Sequence, residues 1–207
     1  MLQSMAQTAR PLRMIVWDRT APRLRHAWRL GARLYAGLGR VDGAFPAATW
    51  DEALAWLAQA REAIGEVQYW GHGRWGRALI GAEALDASAL RPGHRLSARL
   101  DAVRERLAPD ALVWLRTCEA FGASAGHDFA VRIADRLGAR VAGHTFVIGA
   151  LQSGLHGLLP GHAPDWPADE GLAEGTPNAP VRAHWSAPGR PRTITCFDGR
   201  VPPAWFA

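Results

Sequence analysis

The chain has 207 residues, of which 48% are hydrophobic, and a formal net charge of +5. That length fits one domain carrying at most an extended loop, and the apolar fraction is ample for a core. No stretch approaches the roughly 20 apolar residues of a membrane span, and Met1–Arg10 lacks the apolar centre of a signal peptide, so a cytoplasmic protein with no membrane partner is expected.

Residues 1–11 are polar and expected to be disordered. Leu12–Asp18 is a short apolar run that predicts a central strand. Thr20 then reads as the cap of a helix, with Pro22 near its start and Leu24, Ala27, Trp28, Gly31, Leu34 and Tyr35 at helical spacing. Gly37, Gly39 and Gly43 open a loop running through Phe45-Pro46. A second helix begins at Thr49, with Glu52 as capping-box partner and Trp50, Ala53, Leu54 and Leu57 on one face.

Ile64–Gly71 predicts a strand that ends on His72-Gly73, and Arg77–Gly81 a small hairpin or edge strand beyond it. Leu85–Leu90 reads as a helical turn and Leu96–Leu107 as an amphipathic helix. Ala111–Thr117 is a second apolar strand, ending on Cys118. A small-residue loop leads to a helix over His127–Leu137, closed by Gly138, and a strand over Arg140–Phe146. Residues 150–191 are rich in Gly and Pro without periodicity, and such long irregular loops are often functional. Arg192–Phe197 reads as the last strand. The alternation of strands and helices predicts an α/β fold, three layers around a mostly parallel central sheet, over residues 12–207.

The two strand ends carry the chemistry. Open α/β sheets bind ligands beyond the carboxyl ends of their strands, and the crossover between His72 and Cys118 is short enough to make their strands neighbours. A thiol attacks a carbonyl as a thiolate, and an imidazole supplies the base. The amides of Gly73 and Cys118 are the expected oxyanion donors. Cys196, inside an apolar strand, reads as a structural thiol.

Rival chemistries lack their spacing. His127, His144, His156 and His162 show no close ligand pairs, so no metal or other cofactor is expected. Ser153 lacks the glycine two residues before it that a nucleophile elbow requires. All 24 basic residues are Arg, in keeping with a GC-rich genome. They are scattered, several along the helix that holds Arg25, Arg29 and Arg33, so no nucleic acid is expected.

The order of apolar strand, His72-Gly73, amphipathic helix, apolar strand and Cys118 with a small-residue loop resembles the caspase-like cysteine peptidases. Thr117–Ala130 running into Leu137–Gly143 is most similar to bacterial CHAT-type domains. The resemblance covers residues 12–149. It implies a caspase-like fold, cleavage of protein or peptide substrates, His72 as general base and acid, Cys118 as nucleophile and Gly73 as oxyanion donor. A catalytically inactive relative that binds a protein partner through residues 150–191 is the alternative.

Four further residues are candidates for substrate binding. Asp18 ends the strand expected beside the His72 strand, where it lines the pocket or simply caps the next helix. Glu119 follows the nucleophile, and Trp70 and Trp75 flank His72 as candidate cleft walls.

Overall fold

The computed structural model describes residues 10–206; the stretch expected to be disordered lies mostly outside them. In chain order the elements are β1 (Leu12–Asp18), α1 (Arg25–Gly37), β2 (Gly43–Ala47), α2 (Trp50–Ala58), β3 (Ile64–Trp70), β4 (His72–Gly73), β5 (Arg77–Ile80) and β6 (Glu83–Asp86). There follow α3 (Ser97–Arg104), β7 (Leu107–Arg116), α4 (Ala123–Leu137), β8 (Arg140–His144), β9 (Leu151–Gln152), β10 (Leu155–Leu158), β11 (Leu172–Thr176), β12 (Ala179–Ala183) and β13 (Ile194–Thr195).

The central sheet has the order β10-β8-β7-β3-β1-β2, and only β10 runs antiparallel to its neighbour. The chain moves first from β1 out to β2, then reverses across β1 to β3, β7 and β8. A right-handed crossover puts its helix on the opposite face when the direction of travel reverses. Accordingly α1 covers one face, packing Ala32 and Tyr35 on Ile15, Trp17 and Trp70. On the other face α2, α3 and α4 bury Leu54, Leu100 and Ile133 against Val16, Tyr69 and Leu115. The inner strands β1, β3, β7 and β8 therefore bury both faces over most of their length, which is why they read as largely apolar runs. No helix among the described residues is long and apolar enough to cross a membrane.

Several local expectations change. Helix α1 starts at Arg25 rather than beside Thr20, because Asp18 Oδ1 takes both the Thr20 amide (2.7 Å) and its hydroxyl (2.6 Å). Gly43–Ala47 is an edge strand rather than a loop; Pro46 is tolerated there because an edge can spare its N–H. Leu85 and Asp86 end a strand, Glu83–Asp86, so the turn expected over Leu85–Leu90 is confined to residues 87–90. The Thr49 cap holds: its Oγ1 accepts from the Glu52 amide at 3.1 Å, while Glu52 reaches back to the Ala48 amide at 2.9 Å.

The largest correction concerns residues 150–191, which are not an irregular loop. They hold β9, β10 as a sheet edge, and the β11–β12 hairpin. Two-residue strands and exposed hairpins have too little periodicity to register in sequence. The expected strand over Arg192–Phe197 shrinks to Ile194–Thr195, paired with β9.

Arg116, the last residue of β7, is 5% exposed and has no carboxylate partner among the described residues. Its guanidinium donates to Tyr35 Oη (2.9 Å), Gln68 Oε1 (3.3 Å), Gln152 Oε1 (2.9 Å) and the Cys196 carbonyl (3.1 Å). It also lies over the Trp114 ring at 4.3 Å. Removing one partner of a buried network strands the others. Arg116→Ala is therefore expected to cost about 3 kcal/mol or more of unfolding free energy in urea titrations. Arg116→Lys is expected to recover only part, since one ammonium cannot serve four separated acceptors. A loss below about 0.5 kcal/mol for Arg116→Ala would refute the role given to this network.

Candidate active site

Strands β3 and β7 are hydrogen-bonded neighbours with Trp70 opposite Arg116. His72 and Cys118 each stand two residues beyond that matched pair. Gly73 rests directly on the cysteine loop: a Cβ there would lie 2.8 Å from the Cys118 carbonyl and would collide with the Thr117 side chain. Only glycine permits that approach. The pairing expected from the sequence, two strand ends meeting at one rim, is what the sheet delivers.

The hairpin that carries His72 is clamped to the same loop. Its tip, Trp75-Gly76, has φ of 41° and 77°, the two positive values of a type I′ turn. The tip amides donate to the carbonyls of Glu119 (3.1 Å) and Ala120 (3.0 Å). The Arg74 amide bonds the Arg77 carbonyl at 3.0 Å, so by antiparallel alternation Gly73 occupies a non-hydrogen-bonded position and its amide faces the hairpin's free edge. The Cys118 amide meets no backbone carbonyl among the described residues.

His72 is exposed, its ring edge-on to Trp28 of α1 with centroids 5.6 Å apart. The Cys118 sulfur is half-buried, and its hydrogen-bond partner is the Ile148 carbonyl at 3.9 Å rather than an imidazole. Burial pushes the thiol up to about 11. Glu119 is 8% exposed, in the left-handed region with φ 26°, and burial pushes its carboxyl up to about 7, with Arg74 opposing. Three buried polar atoms around the cysteine have no partner among the described residues: Thr117 Oγ1, Glu119 Oε2 and Trp75 Nε1.

A hollow of about 420 Å³ opens beside the cysteine loop, lined by Trp75 and Glu119 and by Val147, Ala183, His184 and Trp185, with neither Cys118 nor His72 in its wall. Two sequence candidates do not belong to it. Asp18 is 2% exposed and spends its oxygens on Thr20 and, at 3.4 Å, on the Gly81 amide, so it shapes a turn. Trp70 is 7% exposed beneath Gly31 and edge-on to Tyr35, so it is core rather than a cleft wall. Sequence reasoning missed Thr117, Val147 and His184, which carry no motif; Arg74 had one weak signal, its place between His72-Gly73 and a Trp-Gly turn.

Two of the four histidines weighed as metal ligands, His144 and His156, have ring nitrogens bonded to other groups. His144 gives its Nδ1 to the Ser153 carbonyl at 3.1 Å. His156 lies between Arg192 (2.8 Å) and Glu170 (2.6 Å), a geometry in which Nδ1 accepts from the guanidinium and Nε2–H donates to the carboxylate.

Residues 48–161, more than half of the chain, match the family model described as a domain of unknown function (DUF4347). The chain belongs to that family. No curated protein and no solved structure matches it. The DUF4347 segment contains His72, Cys118 and Glu119, whereas α1, β1 and the β11–β12 side of the hollow lie outside it.

Two measurements probe this geometry. Gly73→Ala is expected to cost about 1–3 kcal/mol, and Thr117→Ala in the same chain to recover part of that, because it removes one of the two clashes; strict additivity in a double-mutant cycle would contradict the contact. Glu119 holds its proton more tightly folded (about 7) than at its ordinary value of 4.5, so folding takes up a proton between those pH values and stability falls as pH rises through them. Glu119→Gln has no proton to take up. It is expected to be more stable than the parent above pH 7, by at most about 3 kcal/mol, with the gap closing toward about pH 4.5 in denaturation curves. A gap independent of pH would refute the buried carboxyl.

Proposed function

We propose that this chain is a caspase-like cysteine peptidase, cytoplasmic, in which Cys118 is the nucleophile and His72 the general base and acid. The observation that carries the reading is the shared rim: His72 and Cys118 stand two residues past the paired Trp70 and Arg116, with Gly73 packed on the cysteine backbone. The resemblance in sequence to caspase-like and CHAT-type peptidases supports it independently. In this reading the sulfur bonds to the substrate carbonyl carbon while the thiol proton passes to the His72 ring. The imidazolium then protonates the amine as the C–N bond breaks, and water cleaves the thioester to release the acid and restore the thiol. The Cys118 amide, and the Gly73 amide on its free edge, are the donors for the tetrahedral oxygen.

A thiol held up at about 11 is protonated at neutral pH, so the resting site is not an ion pair. In this reading the thiolate forms only with substrate in place, as His72 takes the proton. The same observation, with the sulfur on the Ile148 carbonyl, favours a second reading: a catalytically inactive module that binds a protein partner through the face built by residues 150–191.

A peptidyl acyloxymethyl ketone distinguishes the two. The peptidase reading expects it to label Cys118 and spare Cys196 by mass spectrometry, with at least about a hundredfold loss of rate in His72→Ala. Simple iodoacetamide is expected to react slowly at neutral pH and faster as pH climbs toward about 11. Equal labelling of both thiols, unchanged by His72→Ala, would establish the inactive module instead.

A further inference from the structure

We propose that the hollow beside the cysteine loop receives a long cationic side chain, the Arg or Lys of a peptide, with the Glu119 carboxylate as its counter-ion. The inference rests on the peptidase reading and names the side chain that site selects. Its basis is the hollow's arrangement. At about 420 Å³ it has room for one side chain with adjoining backbone. Glu119 is the only carboxylate in its lining, sits at the buried end, and leaves Oε2 without a partner. Trp75 and Trp185 add aromatic surface to the lining, and such faces favour a guanidinium or ammonium.

Arg74, Arg182 and His184 also line the hollow and all are exposed, with Arg74 near enough to Glu119 to act on its carboxyl. Arg74 donates to the Val181 carbonyl at 3.2 Å. Arg182 pairs with Glu174 at 3.4 Å. An apolar side chain reaching the buried end would leave the carboxyl unpaired, and an acidic one would meet it directly; each is disfavoured. A cation there satisfies Oε2 and fixes the carboxylate in its charged form. The strained backbone of Glu119, at φ 26°, is held by its amide on the Phe146 carbonyl (3.0 Å) and its carbonyl on the Trp75 amide (3.1 Å), which keeps the side chain at the inner end.

The test is calorimetric and needs no turnover. Full-length Cys118→Ala protein is titrated with acetyl-Ala-Ala-Arg-amide and with the analogues ending in norleucine and glutamate. The Arg peptide is expected to bind at least about tenfold more tightly than either analogue. Its affinity is expected to rise between about pH 6 and pH 8, as Glu119 gives up its proton. Glu119→Gln in the same background is expected to lose that preference and the pH dependence. Equal affinity for the three peptides, no binding at all, or an Arg preference that survives Glu119→Gln would overturn the inference. Cleavage that ignores the neighbouring side chain would leave the dyad standing and remove the pocket; selective Arg binding without electrophile labelling would do the reverse.

Discussion

A single buried guanidinium sets the geometry of the rim. Arg116 closes β7 two residues before Cys118, where the sheet gives way to loops, and burial makes its charge costly unless every donor is used. Its acceptors come from α1 (Tyr35), β3 (Gln68), β9 (Gln152) and the C-terminal segment (the Cys196 carbonyl). The chain reaches outward again: Gln68 donates to Glu66 at 2.6 Å, and Glu66 is paired with Arg13 at 3.0 Å. One side chain thus requires two sheet strands, a helix on one face and the returning C-terminus to be in register together. That requirement fixes where β3 and β7 end relative to each other, and so where His72 and Cys118 stand.

Beyond the rim, strain is concentrated and over-determined. Trp75, Glu119 and Ala123 are three of the five non-glycine residues with positive φ among the described residues, and they belong to the cysteine loop and the hairpin tip bonded to it. Each such residue costs on the order of 1–2 kcal/mol. The cost is offset by a clamp from several sides. The hairpin tip holds the Glu119 and Ala120 carbonyls, Phe146 and His144 take the Glu119 and Phe121 amides, and the indole of Trp166 donates to the Phe121 carbonyl at 3.1 Å. Trp166 is itself stacked against His156, whose ring is tied to Glu170 and Arg192. The segment after residue 158, featureless in sequence, is the brace that holds the cysteine loop in its strained form.

Legibility in the sequence followed burial. Strands β1, β3, β7 and β8 were readable because both faces are covered over most of their length and their runs are largely apolar. The Thr49 cap was readable because its chemistry is local. What could not be read depends on distant partners. Gly43–Ala47 becomes a strand only because β1 offers it an edge. Trp70 looked like a cleft wall from its place beside His72, yet strand alternation turns it under α1. Asp18 and Glu119 are both acidic residues near strand ends. Nothing local says that the first would be consumed by Thr20 and Gly81 while the second would be left with an unpaired oxygen.

The limits of the DUF4347 segment divide the molecule along a meaningful line. Residues 48–161 include β3, β7, β8 and the helices of one face, but not β1, which lies between β3 and β2, nor α1, which covers Trp70. The segment also lacks Tyr35 and Cys196, two of the four partners of Arg116. Taken alone it would expose one face of β3 and leave that guanidinium half satisfied, so the folding unit extends beyond it on both sides. The residues proposed for chemistry, His72 and Cys118, and the buried carboxyl of Glu119 are inside the segment. Ala183 to Trp185, which line the hollow, are outside. A rim built on paired strand ends tolerates little change, because moving either end breaks the register. A hairpin laid across it from a later part of the chain can change in length and lining without touching that register. In the proposed reading the catalytic pair and the Glu119 carboxyl both belong to the part of the chain held by the sheet, and the later hairpin only closes the hollow over them.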